Sequence, residues 1–299
     1  MKRKFIMYIV GAQNSGSTML DALFGGAESV HGLGEVGRIF QYTENTSCSC
    51  GRPAMSCNPC SSLKIDISKA GVESDLIEHF PQALGEKKLY KFLWLPKFGK
   101  KYAAVSDMIY ESVFNSAAKE PIVLIDSSKN VSRAIALAKY SRYEIVFLHL
   151  VRDGRGYLKS RNSQARLERN NAKKMYFRNI LKWVIKNLIV TAFLRPKADK
   201  YLKIRYEDFI LDPDGVLDQI STFCEFDFTA VGSIENSTLS VERTQVFESP
   251  RRVDYTTVKV DKSRLQSQEY SFLKNVSYFL SGGFLGLLWG YTFKQDYLE

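Results

Sequence analysis

Nothing in this chain of 299 residues repeats, and it has no low-complexity tract and no Pro/Gly-rich linker. Arrays and tethered modules are thereby disfavoured, and one domain over residues 1–299 is expected. An uninterrupted apolar run of about 20 residues, the length a membrane span needs, is also missing. The apolar C-terminal stretch 272–293 is broken by Lys274 and Asn275 and loosened by four glycines, so it reads as a packed helix. Basic residues form no tail. They exceed acidic ones by 42 to 32, a net charge of +10, but are spread along the chain. Such a field attracts anions without implying a nucleic-acid arm, and nucleic acid is not expected as a partner. The apolar run 5–10 behind Lys2, Arg3 and Lys4 is short for a signal peptide and suits a buried parallel strand, so a cytoplasmic location is expected.

Strand-like runs at 5–10, 122–125, 144–151 and 201–204 alternate with helical patterns at 17–24, 131–140, 154–168 and 174–193. That rhythm implies an α/β fold, a parallel sheet covered on both faces by helices. Residues 45–119 fit it poorly and are read as an insertion after the first phosphate loop, with a helix near 72–84 and an aromatic-basic stretch at 90–102.

The first strand runs into Gly11-Ala12-Gln13-Asn14-Ser15-Gly16-Ser17-Thr18, the G-x-x-x-x-G-x-T spacing of a phosphate loop between strand and helix. Glycines let backbone N–H groups turn inward, and the helix N-terminus favours an anion. A nucleoside-triphosphate loop carries Lys before its final Ser/Thr; here that position is Ser17. A second anion site is expected where 144–151 ends in Arg152-Asp153-Gly154-Arg155, followed by Ser160-Arg161 on a helix. Arg152 and Ser160, about two helical turns apart, can close on one phosphate.

At these residues the chain resembles the sulfotransferases that use 3′-phosphoadenosine 5′-phosphosulfate (PAPS), in the style of the bacterial, carbohydrate and tyrosyl-protein branches. Ser15-Gly16-Ser17-Thr18 is similar to their 5′-phosphosulfate loop, and R-D-x-R-x-x-x-x-S-R to their 3′-phosphate motif. The resemblance implies a three-layer, P-loop kinase-like fold and sulfuryl transfer from PAPS to an acceptor hydroxyl on a small molecule, glycan or lipid. It implies 3′-phosphoadenosine 5′-phosphate (PAP) as the product nucleotide and no metal for the transfer. Asn14 departs from the family, which has Lys or Arg there. Arg205-Tyr206-Glu207-Asp208 resembles the family's RYED segment, whose tyrosine lies near the nucleotide. Arg251 and Arg252 fall where its C-terminal loop covers that nucleotide.

None of His31, His79 and His149 stands where the aryl branch keeps a basic histidine, shortly after the strand 122–125. Where other branches use a glutamate about twenty residues after the loop, this chain has Glu35, the expected general base. Lys129 follows the strand 122–125 where related enzymes keep a lysine, and the resemblance implies that it stabilises the bridging oxygen. Cys48, Cys50, Cys57 and Cys60 lie within thirteen residues, and either a four-thiolate zinc site or a reduced or bridged structural cluster suits them. Two rival readings remain. Asp126 ends a Walker B-like strand, as in a nucleotide kinase or other NTPase, and Asn14 with the net charge suits a non-catalytic anion-binding relative.

Overall fold

The computed structural model describes residues 3–24, 29–37, 89–116, 122–165, 172–228 and 271–294, with short pieces at 53, 56, 238–240, 257–259, 262 and 265. Five strands make the central sheet: β1 (Phe5–Val10), β2 (Val30–Gly34), β3 (Val123–Lys129), β4 (Glu144–Val151) and β5 (Lys200–Arg205). All neighbours are parallel, in the order β2-β3-β1-β4-β5. A separate antiparallel pair joins β6 (Thr238–Ser240) to β7 (Thr257–Lys259).

β1 shows why the sheet has a layer on each face. Alternate side chains of a strand point to opposite faces. Ile6, Tyr8 and Val10 pack with α3 (Pro96–Ser116) and α4 (Val131–Tyr140), whereas Phe5, Met7 and Ile9 pack with α1 (Ser17–Phe24), α7 (Tyr206–Leu211) and α8 (Pro213–Cys224). The three-layer α/β expectation is met. A third cluster joins α5 (Gly154–Ala165) and α6 (Ala172–Ile189) to α9 (Phe272–Leu280) and the 3₁₀ helix Gly283–Trp289. Its centre is an edge-to-face contact of Trp183 with Trp289.

Three local readings change. Val30–Gly34 is a strand that lies outside the strand-like runs of the sequence; its two glycines carry no strand signal, and pairing with β3 sets it. The aromatic-basic stretch forms α2 (Leu89–Trp94) and the start of α3, whose Tyr102, Val105, Ile109, Tyr110, Val113 and Phe114 enter the core. The apolar C-terminus is two short helices rather than one, parted at Gly282, which has φ +110°. The cysteine cluster, the helix near 72–84, His79, Arg251 and Arg252 lie outside the described residues.

Candidate active site at the carboxyl edge of the sheet

Each of the five parallel strands delivers one sequence-selected residue or loop to the same edge. Read across the sheet, these are Glu35 after β2, Lys129 ending β3, the loop 11–16 after β1, Arg152 after β4 and Tyr206 after β5. The carboxyl edge of an open parallel sheet is where ligands bind in doubly wound folds.

The loop needs its glycines. A Cβ on Gly11 would lie 2.2 Å from the Leu150 carbonyl oxygen, and one on Gly16 would lie 2.6 Å from the Tyr206 ring. Both positions also have positive φ. Asn14 sits in the left-handed region at φ 62°, a conformation Asn tolerates better than most residues. Its carbonyl accepts a hydrogen bond from Arg152 Nη1 at 3.0 Å. Arg152 in turn lies over the Tyr206 ring, 4.5 Å from its centroid. Tyr206 therefore packs between the loop and the arginine. The backbone of Arg152 is held from behind, where Trp183 Nε1 donates to its carbonyl at 3.0 Å.

Asn14 Nδ2, Ser15 Oγ and Arg152 Nε are buried without a hydrogen-bond partner. Leaving such a group unpaired costs about 1–3 kcal/mol. All three can donate, and all belong to the loop and its clamp. That chemistry fits an anionic group bound here.

On the other side of the loop, Lys129 Nζ and Glu35 Oε1 are 3.2 Å apart, with the side chains 12% and 21% exposed. The two residues singled out for chemistry thus meet, reachable from solvent but shielded. Lys129 has φ +60°, uncommon for a residue with a side chain. Such strain persists only where the surroundings enforce it. Here Asn130 fixes the chain: its Oδ1 accepts from Arg133 N at 2.9 Å, capping α4, and its carbonyl accepts from the Tyr8 hydroxyl at 2.9 Å. Lys129 therefore ends a strand rather than opening a helix.

Asp126 is committed elsewhere. It is fully buried and pairs with Arg133 at 2.8 Å, while Tyr110 donates to it at 2.7 Å and Ser128 N at 3.0 Å. With its oxygens taken by Arg133, Tyr110 and both the N–H and the hydroxyl of Ser128, it does not serve as a Walker B magnesium ligand, and the NTPase reading fails there. Next to it, Ser127 Oγ donates to Asp21 of α1 at 2.5 Å, tying β3 to the helix behind the loop.

The two arginines of R-D-x-R divide their labour. Arg155 is buried and doubly bonded to Asp153, and it donates to the carbonyls of Thr292 and Phe293. It secures the C-terminal segment. Ser160 is half-buried on α5, six residues beyond the helix start. Glu207, the acid of the RYED segment, accepts from Asp153 N at 3.0 Å and contacts the Tyr291 hydroxyl at 2.7 Å. Burial, reinforced by the Asp153 carboxylate, pushes its pKa up to about 7. The Tyr291 hydroxyl also lies 3.1 Å from the Val151 carbonyl. The hydroxyl thus faces two acceptors, the Glu207 carboxyl and the Val151 carbonyl. His149 is buried in β4 between Asn187 and Tyr201, and burial lowers its pKa to about 4. It belongs to the core.

A glycine loop, an arginine and an ion pair thus share one edge of a parallel sheet in an α/β fold of the P-loop-like class. The chain matches the sulfotransferase family over residues 7–230, and it belongs to that family. Among solved structures, the sulfotransferase domain from the Synechococcus PCC 7002 olefin synthase is similar with a TM-score of 0.57 at 18% identity, covering 98% of this chain and 97% of that one. A sulfotransferase from Mycobacterium tuberculosis H37Rv is similar at 16% identity and a TM-score of 0.47, covering 78% and 72%. No curated protein sequence matches the chain. At such identities the first likeness supports the fold.

Proposed function

We propose that this sulfotransferase takes its sulfuryl group from PAPS and passes it to an acceptor hydroxyl. The observation that carries this reading is the set of unpaired buried donors on Asn14, Ser15 and Arg152, grouped at one loop and its clamp. In this reading Asn14, Ser15, Gly16, Ser17 and Thr18 hold the 5′-phosphosulfate with side-chain and backbone donors. Arg152 and Ser160 hold the 3′-phosphate, Tyr206 supports Arg152 from beneath, and Arg251 and Arg252 cover the nucleotide. Asn14 supplies a hydrogen bond where the family has a cation, and Lys129 supplies the charge from the neighbouring strand.

When bound, the donor supplies an electrophilic sulfur with PAP as its leaving group. Glu35 takes the proton of the acceptor hydroxyl as that oxygen bonds to sulfur. Lys129 Nζ donates to the phosphate oxygen released when the S–O bond breaks, so charge is met where it develops. The 3.2 Å pair keeps both groups at one point before substrates arrive, and either can turn to its substrate without leaving the other buried alone.

Calorimetry with PAP and with ATP-Mg²⁺, followed by transfer of labelled sulfuryl from PAPS to a panel of hydroxyl acceptors, tests the proposal. PAP binding with turnover supports it. Preference for ATP-Mg²⁺ would sink it, and PAP binding without turnover of any acceptor would leave only the anion-binding relative.

A further inference from the structure

Away from the carboxyl edge, α6 packs inward through Ile180, Trp183 and Val184 onto the C-terminal helices. Its outward stripe is Phe177, Leu181 and Ile185, spaced i, i+4, i+8 on one face, and all three are exposed. The 3₁₀ helix packed beside α6 likewise turns Phe284, Leu287 and Leu288 outward. Next to it, α9 leaves Phe272, Leu273 and Leu280 between 70% and 82% exposed. The larger aromatic residues of these elements point the other way: Trp183, Trp289, Tyr278 and Tyr291 are buried. Single exposed apolar residues are ordinary, but a face drawn from three adjoining elements marks an interaction site.

The charge of this face is one-sided. α6 carries five basic residues and no acidic one, and Arg178 and Lys182 lie exposed, each one residue beyond the apolar stripe. Residues 271–294 add Lys274 and Lys294, again without an acid. A two-fold partner of the same chain would set these like charges against each other. An anionic surface complements them. Phe, Leu and Ile beside Lys and Arg match the apolar and basic sides of an element lying in a lipid interface.

We propose that the outer face of α6, α9 and the 3₁₀ helix docks on an anionic lipid bilayer. The apolar side chains enter the acyl boundary, and Arg178, Lys182 and Lys274 meet the headgroups. No described helix is long and apolar enough to cross a membrane, and the proposed contact is peripheral. Because Trp183 on the inner side of α6 holds the Arg152 carbonyl, docking sets the anion clamp about one helix diameter, some 10 Å, from the headgroups.

Co-sedimentation with vesicles tests this. The wild-type protein is expected to sediment with phosphatidylcholine vesicles containing phosphatidylglycerol, to bind pure phosphatidylcholine vesicles far less, and to be released by salt. L181D/L287D, both at exposed positions, is expected to lose about tenfold or more in partitioning with an unchanged thermal midpoint. R178E/K182E keeps the apolar stripe and is expected to lose only the preference for phosphatidylglycerol. Failure of the wild type to bind phosphatidylglycerol vesicles, or L181D/L287D binding as the wild type does, overturns the proposal. So does a wild-type dimer that L181D/L287D disperses, which would assign the face to a second copy.

Discussion

The two halves of the sheet edge solve different problems. On the β2/β3 side, Glu35 and Lys129 are partly exposed and paired with each other at 3.2 Å. On the β4/β5 side, Asp153, Arg155 and Glu207 have no exposure and are tied to the C-terminal segment by Tyr291, Thr292 and Phe293. A fixed frame suits recognition of a rigid anion, since donors already in place lose little entropy on binding. A surface-reachable ion pair suits proton transfer, because each partner can exchange the other for a substrate group. The difference between the halves should appear in which measurement each substitution moves.

Glu35→Gln probes the reactive half most directly. It keeps size and hydrogen bonding but cannot accept the proton, so transfer should slow by about 10²–10⁴-fold. PAP affinity should hold, because the frame is untouched. A rate within a few-fold of wild type would remove Glu35 from the chemistry and leave the pair a structural tie.

Within the frame, two arginines three residues apart should behave oppositely. Arg155→Ala strips one partner from a fully buried ion pair and is expected to cost about 3–5 kcal/mol of stability, read by denaturant unfolding. Arg152→Ala should spare most of the stability and weaken PAP binding by about 2–3 kcal/mol, with plain AMP much less affected. Equal losses for PAP and AMP would mean that Arg152 supports the loop rather than reading the 3′-phosphate.

Glu207 gives the frame a pH signature. Its folded pKa of about 7 stands above the ordinary 4.5, so between those values the folded state binds more protons than the unfolded one. Stability therefore falls as pH rises through that window, by about 1.4 kcal/mol per unit at most, and levels off above pH 7. Glu207→Gln, which can still accept from Asp153 N and keep a polar contact with the Tyr291 hydroxyl but cannot titrate, should flatten this slope. A Gln variant with the wild-type slope would place the titration elsewhere.

Much of the edge was legible because its signals are local. β1, β4, α1 and α4 lie where apolar period and flanking turns put them, and the loop and R-D-x-R motifs announce themselves by spacing. What escaped depends on partners distant in the chain. Asp126 resembles a magnesium ligand until Arg133 folds back from α4 and Tyr110 arrives from α3. Nothing in the apolar C-terminus marks Tyr291 as the partner of Glu207, 84 residues away. β2 was missed because its glycines break any apolar run, and only its pairing to β3 makes it a strand.

The smallest expected effect separates backbone from side chain at Lys129. The position has φ +60°, which glycine adopts freely and other residues adopt at a cost. Lys129→Gly and Lys129→Ala both remove the ammonium and its pair with Glu35, so both should slow transfer alike. They differ in the backbone alone. The glycine variant should be more stable than the alanine variant by about 1 kcal/mol, read from unfolding midpoints. Equal midpoints would mean that the left-handed conformation costs nothing there. A difference in stability with equal rates would mean that Lys129 is kept for its charge, against the preference of the backbone. The strain then falls on the reactive half of the edge, where the side chain has a task that glycine cannot perform.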